Sequence, residues 1–257
     1  MTLLPDILGL LSGSAVGFSL GLVGGGGSIL AVPLMIYAVG VPSVHVAIGT
    51  SAFAVAVNAA ANLISHARAG NVKWRCASVF AAAGIVGAFA GSTVSKQVDG
   101  QHLLAAFAML MLVIAGIMFF RRSNLGNPDV RLNRENLPWL LISGFAAGSL
   151  SGFFGIGGGF LIVPGLMFAA GMPALFAIGS SLVAVSAFGA TAAFNYALSG
   201  LVDWRLALVF VLGGAVGGLL GGRAARWIGK RRGALNILFA AVICLVAIYM
   251  LVRSVLG

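Results

Sequence analysis

Acidic side chains are almost missing from this chain: there are five Asp and Glu among 257 residues. Charged residues of both signs reach only 8%, against about 25% in a typical soluble domain. With 60% hydrophobic residues and a mean hydropathy of +1.10, that deficit excludes an ordinary soluble domain and leaves a polytopic membrane protein. Cysteine is scarce too. Cys76 and Cys244 both lie in apolar stretches, too few for a disulfide framework or a metal site, so small apolar packing is expected of both. There is no G-x-x-x-x-G-K-[ST] loop for ATP hydrolysis, no H-E-x-x-H and no G-x-S-x-G. No enzyme, catalytic residue, metal or cofactor is therefore expected. Met1 to Leu20 has no basic region, so a cleaved signal peptide is not expected. A net charge of +10 can suggest nucleic acid. In a chain this apolar, the basic residues instead belong to cytoplasmic loops that hold the topology, and no nucleic-acid partner is expected.

Glycine is what the chain has in plenty, and it occurs as two runs. Gly24-Gly25-Gly26-Gly27-Ser28 is followed by Pro33, and Gly155-Ile156-Gly157-Gly158-Gly159 by Pro164. Each run sits inside an apolar stretch long enough to cross a bilayer. Glycine weakens a helix interior by about 1 kcal/mol relative to alanine, so four together are expected to open the helix. Open backbone at membrane depth is tolerated only where it lines a cavity or is buried in protein. Neither run fits G-x-G-x-x-G, since Ile29 and Phe160 fall where the last glycine belongs.

The runs belong to an internal repeat. A shift of 131 residues lays Gly13, Gly17, Gly21, Gly24, Gly26, Gly27 and Pro33 on Gly144, Gly148, Gly152, Gly155, Gly157, Gly158 and Pro164. A shift of 130 then lays Ala47-Ile48-Gly49-Thr50-Ser51 on Ala177-Ile178-Gly179-Ser180-Ser181, and Trp74-Arg75 on Trp204-Arg205. Each half reads as four apolar segments: Ile7–Val39 (broken), Val44–Ser65, Trp74–Ser95 and Leu103–Phe120, then Trp139–Ala170 (broken), Ala174–Leu198, Trp204–Trp227 and Ala234–Val252. The expected organisation is a first transmembrane repeat over 1–122, a cytoplasmic linker over 123–137 and a second repeat over 138–257.

Basic residues set the orientation. If each broken segment enters and leaves on one side, the repeats are inverted and 12 of the 15 Lys and Arg face the cytoplasm, leaving Lys96, Arg205 and Arg253 outside. If each broken segment is a single span, the repeats are parallel and the split is 9 to 6. The positive-inside rule favours the inverted arrangement, and the 12-residue piece from Ser28 to Val39 is short for a span. The expected fold class is an all-α integral membrane protein: two inverted-topology repeats, each with a Gly-broken, re-entrant first helix and three spanning helices. Inverted repeats with discontinuous helices mark secondary transporters whose site lies near the midplane.

No acidic residue falls within a predicted span. Carriers of cations usually need intramembrane carboxylates. Helices re-forming at Ser28 and Phe160 would instead aim unpaired N–H groups and a partial positive charge inward, which suits an anion. The candidate substrate-binding residues are Gly25, Gly26, Gly27 and Ser28 at the first break, and Ile156, Gly157, Gly158 and Gly159 at the second. Thr50, Ser51, Asn58 and Asn62 join them from the helix after the first break, and Ser180, Ser181, Thr191 and Asn195 from its repeat partner. The uncharged polar residues can line an aqueous path or bond a neighbouring helix, and the pattern does not choose. His66, one turn beyond Asn62, is a candidate proton relay, although a plain interfacial histidine has the same pattern. The Gly13/Gly17/Gly21 and Gly213/Gly217/Gly221 rows read as close helix packing, and Trp74-Arg75 and Trp204-Arg205 as interfacial anchors.

Glycine-rich broken helices, a proline shortly after, G-[TS]-S on the next helix and [DK]-W-R at the following helix start, all in both halves, resemble the sulfite exporter TauE/SafE family of the toluene-sulfonate uptake permease superfamily. The resemblance covers nearly the whole chain. It implies an inner-membrane, multi-pass carrier of sulfite, a sulfonate or a related small organic oxyanion in a bacterium. The expected partners are the bilayer, that anion, a proton or sodium as coupling ion, and a second copy in a homodimer. An anion channel and an accessory subunit of a larger complex are the alternatives.

Overall fold

The computed structural model describes residues 4–120, 130, 132–157, 159–228 and 246–250. Among them the chain is helical and contains no strand. Helix α1 spans Leu4–Val23. A short broken helix, α2, follows: 3₁₀ turns over Gly24–Leu30, one α turn at Ala31–Pro33 and a π turn at Leu34–Ala38. Then come α3 (Val44–Arg68), α4 (Trp74–Ser95) and α5 (Gly100–Phe120). The second half holds α6 (Leu137–Phe154), α7 (Gly159–Ala170), α8 (Ala174–Leu198) and α9 (Trp204–Ile228). The expected segments lie within these helices to a few residues, except that α3 runs on to Arg68 and α1 takes in Asp6. Most of the expected segment Ala234–Val252 lies outside the described residues, as does most of the linker.

Local signals explain the boundaries. Ser43 caps α3, accepting the Val46 N–H at 3.4 Å. Pro138 sits in the first turn of α6, where its missing N–H costs nothing. Gly70 and Gly200, repeat partners, end α3 and α8 with φ of +71° and +69°, a left-handed conformation that side chains resist. Pro33 lacks the N–H that would continue the α ladder, and the register widens past it. The Val39 N–H reaches Leu34 O, five residues back, at 3.0 Å.

Among the described residues, six helices are long and apolar enough to cross a membrane, beginning at Leu4, Val44, Trp74, Leu137, Leu175 and Trp204. Their outer faces are as apolar as the core: Leu11, Val86, Ile142, Phe194, Leu212 and Leu219 are all exposed. Such a continuous apolar exterior fits lipid rather than water. Trp74, Trp139 and Trp204 stand half-exposed in the opening turns of their helices, as interfacial tryptophans do.

The two halves exchange partners. Helix α1 packs on α9 and α6 packs on α4, while α3 and α8 pair at the centre. The glycine rows make these crossings close. A Cβ on Gly13, Gly17 or Gly21 would lie 2.0–2.5 Å from a backbone oxygen of Phe210, Gly214 or Gly218. On the repeat partners Gly144, Gly148 and Gly152 it would lie 2.1–2.5 Å from an oxygen of Phe80, Gly84 or Ala88. The two crossings thus match residue for residue, which is two-fold pairing. These glycine rows are close helix packing, as their spacing predicts.

One end of the bundle gathers the starts of α1, α3 and α9 and the finishes of α4 and α8. There Asp6 pairs with Arg205, and the Tyr196 hydroxyl donates to Ser95 Oγ at 2.8 Å. The opposite end gathers the finish of α3 and the starts of α4, α6 and α8, with Arg68, Lys73 and Arg75. Helix α7 runs back beside α6, so that the Phe168 ring meets Trp139 at 5.8 Å. Likewise α2 turns back on α1: a Cβ on Gly27 would lie 2.3 Å from Leu20 N.

Candidate functional site

The two glycine runs do different things. The first does not open the helix; it tightens it into 3₁₀ turns that reverse the chain, because glycines without side chains let the turn close against Ser19 and Leu20. Gly25, Gly26 and Gly27 lie in those turns, and Ser28 is fully buried. The second run does open: Gly155 and Gly157 take φ of +66° and +64°, and α7 starts afresh at Gly159. Gly158 lies outside the described residues.

The breaks meet at the centre. Helix α7 and the 3₁₀ turns of α2 touch, and both reach α8. A Cβ on Gly157 would lie 2.8 Å from Val55 and 3.0 Å from Val185. Val55 and Val185 are repeat partners 130 residues apart, so Gly157 faces the same position of both halves. Ile156 is fully buried beside it, and Ile48 fills the space over Gly155. Among the described residues, no ionisable side chain takes part in these contacts. What is available to a ligand is peptide dipole and hydroxyl, with the start of α7 contributing a partial positive charge.

The hydroxyl residues of the following helices divide into two kinds. Ser51 Oγ donates to its own Ile48 O at 3.0 Å and reaches Gly155 O at 3.4 Å, so it ties α3 of one half to the break of the other. Its repeat partner Ser181 donates to Ile178 O at 2.8 Å. Thr50 and Ser180 face helix starts instead. Thr50 Oγ1 accepts the Asp203 N–H at 3.0 Å, and Ser180 Oγ accepts the Lys73 N–H at 2.9 Å. Each satisfies a backbone donor just before α9 or α4 and belongs to the cross-half joinery.

The amides separate as well. Asn58 is 2% exposed, lies over Gly214 and has no hydrogen-bond partner for its Nδ2 among the described residues. Asn62 Nδ2 donates to Asn58 O at 2.9 Å. Asn195 lies away from the breaks, at the Asp6 end. Its Nδ2 donates to Ser92 Oγ at 2.7 Å and Thr93 Oγ1 at 2.9 Å, and its Oδ1 accepts from Lys96 Nζ at 2.9 Å. Thr191 bonds within its own helix, to Ala187 O at 2.8 Å. His66 is half-buried near the Arg68 end, and its Nδ1 has no partner among the described residues.

Sequence reasoning missed three residues. Lys96 also donates to Ser199 Oγ at 2.9 Å, so among the described residues its charge is held by neutral oxygens. Ser151, fully buried on the last turn of α6, has an unpartnered Oγ among the described residues. Its position four residues before Gly155 was the available signal. Ile48 was seen only as part of a repeat match. A groove of about 480 Å³ between α3 and α8, lined by Phe53, Val57, Ala190, Phe194 and Trp204, is a separate apolar feature on the outer face.

The family profile described as "Sulfite exporter TauE/SafE" matches residues 9–250. The chain belongs to the sulfite exporter TauE/SafE family. It is 48% identical over 257 residues to a "Probable membrane transporter protein" of Xylella fastidiosa, covering 99% of this chain and 98% of that one. It is 26% identical over 213 residues to "Probable membrane transporter protein YdhB" of Bacillus subtilis, covering 81% and 85%. A protein of Methanocaldococcus jannaschii, "Probable membrane transporter protein MJ0441", is 28% identical over 159 residues, 58% of each chain. No solved structure matches. In this TauE/SafE chain the repeat-paired glycine breaks are the irregular backbone around which the membrane-crossing helices pack.

Proposed function

We propose that the chain is a secondary transporter of a small anion, namely sulfite, a sulfonate or a related organic oxyanion, working by alternating access in a bacterial inner membrane. Family membership supports transport. The observation that carries the finer reading is the meeting of two broken helices beside Val55 and Val185, in a centre whose contacts among the described residues include no ionisable side chain. A cation buried there would lack a countercharge, whereas an oxyanion would find N–H groups and hydroxyls. The full burial of Ser28, Ser51, Ile156 and Ser181 supports an occluded carrier over an open channel.

Inverted repeats with re-entrant first helices fit this reading. The α1–α2 hairpin leads from the Asp6 end back to the start of α3. The α6–α7 hairpin begins and finishes at the Arg68 end, where Trp139 meets Phe168. Arg68, Lys73 and Arg75 at that end support placing it, with the linker over 121–137, in the cytoplasm. Rocking of one repeat against the other would move the exchanged crossings together.

The test is flux of labelled sulfite and of alkyl sulfonates into proteoliposomes, with and without proton or sodium gradients. Saturable flux that external sulfonate inhibits is expected. Absence of flux for every anion, or flux that rises linearly without saturation, overturns the proposal.

A further inference from the structure

We propose that, while the equivalent face of α8, which leads to the Asp6 end, is plugged, the Asn58–Asn62–His66 face of α3 forms the lane between the glycine breaks and the Arg68 end. It is a water-filled lane that the anion follows, and it rests on the transport reading above. Asn58, Asn62 and His66 are spaced four apart and so share one helical face. The face starts at the breaks: Val55, one turn before Asn58, is the residue that meets Gly157. It finishes beside Arg68, and exposure rises along it, from 2% at Asn58 to half-buried at Asn62 and His66.

Two of the three have buried nitrogens with nothing to bond. Asn58 Nδ2 and His66 Nδ1 have no hydrogen-bond partner among the described residues. A buried, unpartnered donor is costly unless an acceptor arrives. The Asn58 amide is a donor, so the missing group is an oxygen, of water or of an oxyanion.

The repeat partner of this face is built the other way. The positions 130 residues on are Phe188, Ala192 and Tyr196, which are 0%, 1% and 0% exposed. Asn58 occupies the notch over Gly214. Its partner Phe188 fills the notch over the equivalent Gly84, where a Cβ would lie 1.9 Å from the ring, and it stacks on Phe80 at 6.2 Å. Tyr196 turns its hydroxyl to Ser95 Oγ at 2.8 Å, leaving nothing unpaired. One notch therefore holds an amide in need of a partner, and the other is plugged by an aromatic ring.

Single cysteines placed at 58, 62, 188 and 192 in the full chain, with Cys76 and Cys244 replaced by Ala, test this in proteoliposomes. The probe is the small anionic reagent 2-sulfonatoethyl methanethiosulfonate. Asn58→Cys and Asn62→Cys are expected to react at least tenfold faster than Phe188→Cys and Ala192→Cys. A smaller contrast, or the reverse order, overturns the one-sided lane, and the 62/192 pair decides if a variant at 58 or 188 does not fold. Asn58→Phe places the partner residue in the notch, a fit that Phe188 over Gly84 shows to be packable. It is expected to lower sulfite flux at least tenfold. Undiminished flux in Asn58→Phe refutes the lane. Parent liposomes that move no anion refute the transport reading, while the labelling contrast still decides the lane.

Discussion

Replacing Gly17 by alanine tests the exchanged pairing of the halves. The new Cβ would lie 2.0 Å from Gly214 O, and ordinary contact begins at 3.4 Å, so α1 and α9 must separate by about 1.4 Å. Overpacking a close interface usually costs about 1–3 kcal/mol. Here the obstructing atom is backbone and cannot rotate away, and separation also loosens the glycine contacts above and below, so about 2–3 kcal/mol is expected. Gly148→Ala, the repeat partner, meets Gly84 O at 2.1 Å and should cost the same. Gly116 and Gly222 are the controls, since a Cβ on either meets nothing within 4 Å. Alanine there should be neutral or stabilising by up to about 1 kcal/mol through helix propensity. Reversible unfolding in mixed detergent micelles measures all four. If Gly17→Ala unfolds within about 0.5 kcal/mol of the parent, an amount typical of a surface change, α1 does not cross α9 at this register. If Gly17→Ala destabilises and Gly148→Ala does not, the two-fold pairing is wrong.

Thr50→Val and Ser180→Ala each remove the acceptor for a helix-start N–H, and each should lower stability by about 1 kcal/mol. Sulfite flux per folded molecule should survive both, and its loss with unchanged stability would assign the hydroxyls to the ligand instead. Lys96→Met strips a charged donor from Asn195 and Ser199 and should cost about 1.5–3 kcal/mol in the same unfolding assay. Asp6→Asn breaks the ion pair with Arg205, which is partly exposed, and should change stability by less than about 1 kcal/mol, less still in high salt. The Asp99 carboxylate, outside the spans, is held below its ordinary value of 3.8 first of all by the Gln101 N–H. A depressed folded value gives stability that is present above the unfolded pKa and lost as pH falls through the folded one. Asp99→Asn should therefore leave the pH profile flat between 5 and 8 relative to the parent and alter it only below about 4.

Helix limits were legible because composition marks them twice, by apolar length and by punctuation. Trp74, Trp204 and Ala174 open their helices in the sequence and in the structure alike. The repeat was legible because ordered Gly, Pro and Trp-Arg matches survive in apolar sequence. What packs on what was not. A row such as Gly13, Gly17 and Gly21 announces a close neighbour without naming it, and the neighbour turns out to lie in the other half.

The hydroxyls expose the deeper limit. Gly49-Thr50-Ser51 and Gly179-Ser180-Ser181 carry adjacent hydroxyls, and adjacent helical positions point about 100° apart. One of each pair must turn from whatever the other faces. Thr50 and Ser180 turn to the helix starts at Asp203 and Lys73, while Ser51 turns to Gly155. The pattern fixes that division but not its sense, which depends on where the partner half lies. The mismatch of Asn58 with Phe188 was equally visible in the 130-residue alignment and equally mute. It acquires meaning only when Gly214 and Gly84 appear as equivalent notches, one holding an unpaired amide and the other a ring. A duplicated fold then supplies its own control: what one half tolerates at a position shows which demand on the other half is functional rather than structural.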